Sequence, residues 1–144
     1  MISVSLTTDR DVDMIQLKPE VYPNPVDTKE SFARAVGKNL VYTFRSEDGI
    51  GAIIAAIEIY PNVVELYALT SHEMETKPLQ YHRAIRSMLK LLVEAMKLVR
   101  AQTFVRADYD KGVKFMRTLG FEPEGRLRCY GIDRKNYYIM GRVF

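Results

Sequence analysis

Glu65 stands in the middle of VVELYALTS, an apolar run that reads as a strand. A carboxylate on such a strand needs a partner or a wet cleft. Glu58 sits late in the apolar run before it. Tyr109, next to Asp108, and Tyr130, Tyr137 and Tyr138 near the C-terminus are the tyrosines whose hydroxyls could serve chemistry. Other chemistry is set aside by spacing. His72 and His82 stand ten apart without a Cys or carboxylate at metal-ligand spacing, so no zinc site is expected. Cys129 is the single cysteine; it falls in a stretch read as a strand, as an inert buried thiol. No Gly-x-Ser-x-Gly or Gly-Lys-Ser/Thr motif occurs.

Charge adds a second signal. Residues 1–76 carry −6 and residues 77–144 carry +9, for a total of +3. A basic half fits a polyanionic partner, such as a phosphorylated cofactor, nucleic acid or an acidic protein; the alternative is a solvated basic helix face. Basic residues interleave with aromatics in FVRADYDKGVKFMR and RLRCYGIDRKNYY, but no nucleic-acid-binding signature accompanies them.

The elements that must position these residues follow from periodicity. Ile2–Thr8 alternates apolar and polar residues, as a half-buried strand does. Thr8 or Asp9 caps a short acidic helix, and Thr28 caps a second over KESFARAVGKN, after a stretch broken by Pro19, Pro23 and Pro25. Three strands follow as an antiparallel meander: NLVYTFRS, GIGAIIAAIEIY and VVELYALTS. The second is apolar on both faces, as in a central strand. On VVELYAL, alternation puts Glu65, Tyr67 and Leu69 on one face. The clearest helix runs from Leu79 to Arg100, with Ile85, Met88, Leu89, Leu92, Ala95, Met96 and Val99 on one stripe and Arg83, Arg86, Lys90 and Lys97 opposite. A strand over Gln102–Tyr109, a helix capped by Asp110 and closed by Gly120, and two strands, RLRCYGI and NYYIMGRVF, complete the chain.

The order is β-α-α-β-β-β-α-β-α-β-β. It implies a single α/β (α+β) three-layer domain over residues 1–144, with a mixed sheet of seven strands and four helices. The crossover helix makes VVELYALTS and the strand at 102–109 parallel neighbours. At 144 residues, 47% apolar and 27% charged, the chain excludes disorder, collagen and a disulfide scaffold. No apolar run is long enough to cross a bilayer, and MISVSLTTDRDVDM lacks the features of a signal peptide, so a cytoplasmic location is expected.

This order resembles the GNAT family of N-acetyltransferases. The match is strongest in VKFMRTLGFEPEGRLRCYGIDRKNYYIMGRVF, where Leu119-Gly120-Phe121 and Glu124-Gly125 are similar to the family's C-terminal signature. The resemblance implies the GNAT fold, acetyl-CoA held in a gap between the two central parallel strands, no metal, and transfer of acetyl to a primary amine of a protein or small molecule. It implies Glu65 as general base. Leu69, Thr70, Gln80, Arg83, Ala84, Ile85 and Asp108 become the cofactor-binding positions, and the acidic first half would attract a cationic amine. A homodimer through the closing hairpin is a further implication.

Two features depart from the family. Its loop of Gln or Arg followed by small residues falls on Gln80-Tyr81-His82-Arg83-Ala84-Ile85, and no glycine occurs between Ala52 and Lys111. The usual acid tyrosine is replaced by Met116, leaving Tyr109 or a hairpin tyrosine to take its place. Thr70-Ser71 at the end of the central strand, a long basic helix without a glycine loop and a closing hairpin are also similar to small internal virion proteins of short-tailed phages. That resemblance implies a catalytically silent structural or partner-binding protein in virion or host cytoplasm.

Overall fold

Ala52–Ala56, the middle of the most apolar segment, are all buried, so this segment is covered on both faces. In the computed structural model, which describes all 144 residues, it belongs to the central strand β3 (Gly49–Tyr60). The other strands are β1 (Ser3–Leu6), β2 (Leu40–Ser46), β4 (Val63–Thr70), β5 (Arg100–Arg106), β6 (Glu122–Leu127) and β7 (Tyr137–Val143). They form one mixed seven-stranded sheet in the order β1-β2-β3-β4-β5-β7-β6. The helices are α1 (Asp9–Met14), α2 (Pro25–Ala35), α3 (Glu73–Thr76), α4 (Pro78–Met96) and α5 (Asp110–Thr118). By contacts the chain divides into two units, Met1–Ile57 with Tyr67–Leu91, and Glu58–Leu66 with Leu92–Phe144.

In the first unit, β1 pairs with β2 and β2 with β3, all antiparallel. A core of Val12, Ile15, Phe32, Val41, Ile53, Ala55 and Leu69 joins helices to sheet. Thr8 caps α1 in a capping box with Asp11. The Asp11 carboxylate also accepts from Thr43 (3.1 Å) and Arg45 (2.7 Å). Burial pushes this carboxyl up, and the bonds from Thr8, Arg45 and Thr43 more than offset it, leaving it below the ordinary 3.8. β1 departs from expectation: all four residues are exposed, Val4 at 43% and Leu6 at 65%. It is the end strand of the sheet, paired on one side only. Helix α2 starts at Pro25, three residues before the expected cap, because proline's fixed φ suits the first helical position.

In the second unit, β4 runs parallel to β5 over three pairs, Val63–Arg100, Val64–Ala101 and Glu65–Gln102. β5 then pairs antiparallel with β7, and β7 with β6. The long helix ends at Met96, not Arg100. Lys97 takes a φ of 52°, and the Asn62 side-chain amide donates to the Met96 and Lys97 carbonyls at 3.1 and 2.9 Å. The segment expected as the strand RLRCYGI is mostly a turn: β6 stops at Leu127, and Tyr130 and Gly131 amides bond back to the Lys135 carbonyl. Cys129 therefore sits exposed in that turn at φ 51°, not buried in a strand.

Candidate functional site

The end of β4 is where the alternating pattern fails. Val64 and Leu66 are buried, Tyr67 and Ala68 are both exposed, and Leu69 is buried again. Leu69 belongs to the core of the first unit, whereas Tyr67, which strict alternation places beside it, is exposed. The ladder to β5 stops at Glu65. Beyond it, the Ala68 carbonyl accepts from the Tyr22 hydroxyl at 2.9 Å, and the Thr70 amide donates to the same hydroxyl at 3.0 Å. On the other side, the Ser71 amide donates to the Gly51 carbonyl of β3 at 3.0 Å, and the Ser71 hydroxyl to the Ile50 carbonyl at 2.6 Å.

The chain then makes α3 and starts α4 around a single carboxylate. Glu73 Oε1 accepts from Ser46 (2.9 Å), Thr76 (3.0 Å) and Lys77 (3.0 Å), while the Tyr81 hydroxyl donates to Oε2. Lys77 also pairs with Asp48 at 2.7 Å. The Tyr81 ring is wholly buried, and it lies where a Cβ on Gly51 would stand, so position 51 admits only glycine without a shift of the ring. Burial pushes the Glu73 carboxyl up, but the bonds from Tyr81, Lys77, Ser46 and Thr76 together hold it below the ordinary 4.5. Burial, then the Glu73 contact, pushes the Tyr81 phenol up to about 12. Hydrogen bonds to Asp48 and Glu73 raise the Lys77 ammonium above its usual range.

Because α4 begins at Pro78, the segment 80–85 is helix and not loop. The Tyr81 amide already bonds the Lys77 carbonyl at 3.1 Å, and the amides of Arg83, Ala84 and Ile85 are engaged within the helix. From Tyr81 to Ile85, then, the backbone offers no cradle for a pyrophosphate. Gln80 and Arg83 are exposed on the first two turns, and Ile85 lies in the core.

In the second unit, Glu65 faces Gln102 across the ladder and accepts from its Nε2 at 3.1 Å. The Thr103 hydroxyl donates to the Leu66 carbonyl at 2.9 Å, taking over where the ladder ends. Tyr109 is the N-cap residue of α5 and is half-buried, its ring lying against Gly112. Asp108 pairs with Arg106 (2.6 Å) and Lys135 (3.2 Å), which hold its carboxyl below the usual range. Asp108, Arg126, Arg134, Lys135 and Tyr138 line a cavity of about 360 Å³. Tyr137 donates to Asp133 at 3.2 Å, and Tyr130 stacks on Phe104 with centroids 5.0 Å apart.

The strand order and crossover match those of solved acetyltransferases. An acetyltransferase of the GNAT family from Bacillus anthracis superposes with a TM-score of 0.75 at 15% identity, covering 99% of this chain and 94% of that one. The chain has the GNAT acyltransferase fold. The ribosomal-protein-S18-alanine N-acetyltransferase of Escherichia coli (TM-score 0.73, 17% identity, 99% and 94% covered) and the ribosomal-protein-S5-alanine acetyltransferase of Vibrio fischeri (0.74, 14%, 99% and 92%) share it. No protein-family model matches the sequence, and no curated protein matches it.

On the GNAT fold, the C-terminal signature has a structural role. Leu119 and Phe121 are buried on either side of Gly120, whose φ is 88°, and Glu124 accepts two hydrogen bonds from Arg100 at 3.1 and 2.5 Å. Of the residues expected to meet a cofactor, Leu69 offers only its backbone, Thr70 its backbone and hydroxyl, and Gln80 and Arg83 their side chains. Ala84 and Ile85 offer no free amide. Sequence reasoning missed Tyr22, Glu73 and Tyr81. The proline cluster around Tyr22 was its one visible sign; nothing local marks the other two.

Proposed function

We propose that the protein is an acetyl-CoA-dependent N-acetyltransferase acting on a primary amine of a protein or small molecule. The observation that carries this reading is the edge of β4 past its short ladder, where the Ala68 carbonyl and Thr70 amide are met by the Tyr22 hydroxyl, and backbone pairing resumes only at the Thr70 carbonyl, which accepts from the Lys18 amide at 3.3 Å. On the GNAT fold such an edge suits an extended, amide-bearing ligand arm. Acetyl-CoA supplies an acetyl thioester when bound. The residues present fit its amide-bearing arm at the β4 edge. The amides of 81–85 are engaged within α4, so the pyrophosphate falls to the Gln80 and Arg83 side chains at the start of the helix.

Glu65 takes the proton that the attacking amine loses as the new amide bond forms. Its hydrogen bond from Gln102 holds the carboxylate in one orientation. Tyr109 would hold the hydroxyl proton that the departing sulfur of a bound acetyl thioester needs. Asp108, fixed by two cations, stays ionised beside it. The test is a titration with acetyl-CoA followed by melting temperature. At about a hundred times the dissociation constant the gain is roughly 2.7 kcal/mol, a shift of several degrees for a chain of this size. Arg83→Ala reduces that shift. No shift at millimolar acetyl-CoA overturns the reading.

A second reading is a catalytically silent protein on the same fold, with a structural or partner-binding role in a virion or host cell. The Glu73 cluster favours it, since an internal anion there already engages Ser46, Thr76, Lys77 and Tyr81 at the start of α4.

A further inference from the structure

Backbone groups of a strand point alternately to its two sides. The Ser71 amide goes to β3, so the Thr70 amide one residue earlier faces away from β3. The Ala68 carbonyl shares a partner with that amide and so lies on the same edge. A pairing strand or an extended ligand with a secondary amide would meet these two groups together, donating to one and accepting from the other. Tyr22 does both with one hydroxyl, at 2.9 and 3.0 Å, and lies 3.3 Å from the Thr70 hydroxyl as well. Its ring packs against the core of the first unit, and its amide bonds the Lys18 carbonyl at 3.0 Å, so the hydroxyl is held in place from both ends.

We propose that Tyr22 is a built-in competitor for the amide-bearing arm of acyl-CoA and sets the affinity of the β4 edge for it. This rests on the acetyl-CoA reading above. A ligand that takes the Ala68 and Thr70 groups must first turn the Tyr22 hydroxyl out to water, and it gains only the difference between two equivalent sets of hydrogen bonds. Without the hydroxyl, the same ligand displaces water alone.

The experiment compares the full chain with Tyr22→Phe, which keeps the ring on the core. Three readouts are taken: amide hydrogen exchange at Thr70, calorimetric titration with acetyl-CoA, and titration with adenosine 3′,5′-bisphosphate, which has phosphates and no amide arm. The expected result is faster exchange at Thr70, about tenfold tighter acetyl-CoA binding and unchanged bisphosphate binding. Unchanged exchange at Thr70, or acetyl-CoA affinity equal or weaker in the variant, overturns the inference and leaves the acetyl-CoA reading standing. Binding confined to the variant supports the inference and assigns the natural chain to the silent reading. Binding by neither protein overturns both. If Tyr22→Phe does not fold, Tyr22→Leu, which also keeps an apolar side chain on the core, is read in the same way.

Discussion

Removing the Glu73 carboxylate leaves four donors without their acceptor. Lys77 retains Asp48, and Ser46 and Thr76 lie toward the surface and can turn to water. The Tyr81 hydroxyl, on a fully buried ring, cannot turn to water and keeps only its contact with Ser46. An unsatisfied buried donor costs about 1–3 kcal/mol, and a bond to a charged acceptor is worth about 1.5–3 kcal/mol. Glu73→Ala is therefore expected to lose about 3 kcal/mol, the upper end of these values, because the Lys77 pair is broken too. Tyr81→Phe keeps the ring and should lose about 1–2 kcal/mol. Urea unfolding of the two single variants and the double variant closes a thermodynamic cycle, and the coupling expected is about 1.5–3 kcal/mol. In melting temperature, Glu73→Ala should fall by about 10 °C or more. A loss under about 1 kcal/mol for Glu73→Ala, or a coupling under about 0.5 kcal/mol, would refute the claim that this cluster anchors the start of α4.

Two further predictions concern acid and turnover. Asp11 and Glu73 both sit below their ordinary values when folded, so each adds stability that is present above pH 3.8 and 4.5 respectively and is lost as pH falls through the folded value. Melting curves between pH 7 and pH 3 should show a steep acid limb, and Asp11→Asn should flatten it while lowering the neutral-pH melting temperature; an unchanged limb counts against the assignment. Glu65→Gln should cut acetyl transfer by about a hundredfold while acetyl-CoA affinity stays within about twofold, because a glutamine keeps the contact to Gln102 and loses only the proton acceptor. Unchanged turnover would remove Glu65 from the base role.

Much of the fold was legible because it depends on local pattern. The doubly apolar β3, the stripe on α4, the meander and the parallel β4–β5 pair all follow from periodicity and turn residues. The errors have physical causes. Lys97 ends α4 early because Asn62, distant in sequence, caps its last carbonyls. The start of α4 at Pro78 agrees with the helix read from Leu79; what the sequence does not display is the Glu73 carboxylate beside it, which brings Ser46 of β2 to Lys77 and Tyr81. The β4 irregularity at Tyr67–Ala68 breaks an alternation that sequence alone makes seamless. Tyr22 is the sharpest case: a tyrosine among three prolines reads as loop, and only the folded chain brings its hydroxyl 46 and 48 residues along to Ala68 and Thr70.

The central claim is acetyl transfer to an amine, and release of the coenzyme A thiol tests it most directly. The protein is incubated with saturating acetyl-CoA and a panel holding spermidine, an amino acid and a peptide with a free N-terminal alanine. Amine-dependent thiol release, suppressed by Glu65→Gln, is the predicted result. Thiol release no faster than in protein-free controls with every amine would contradict it.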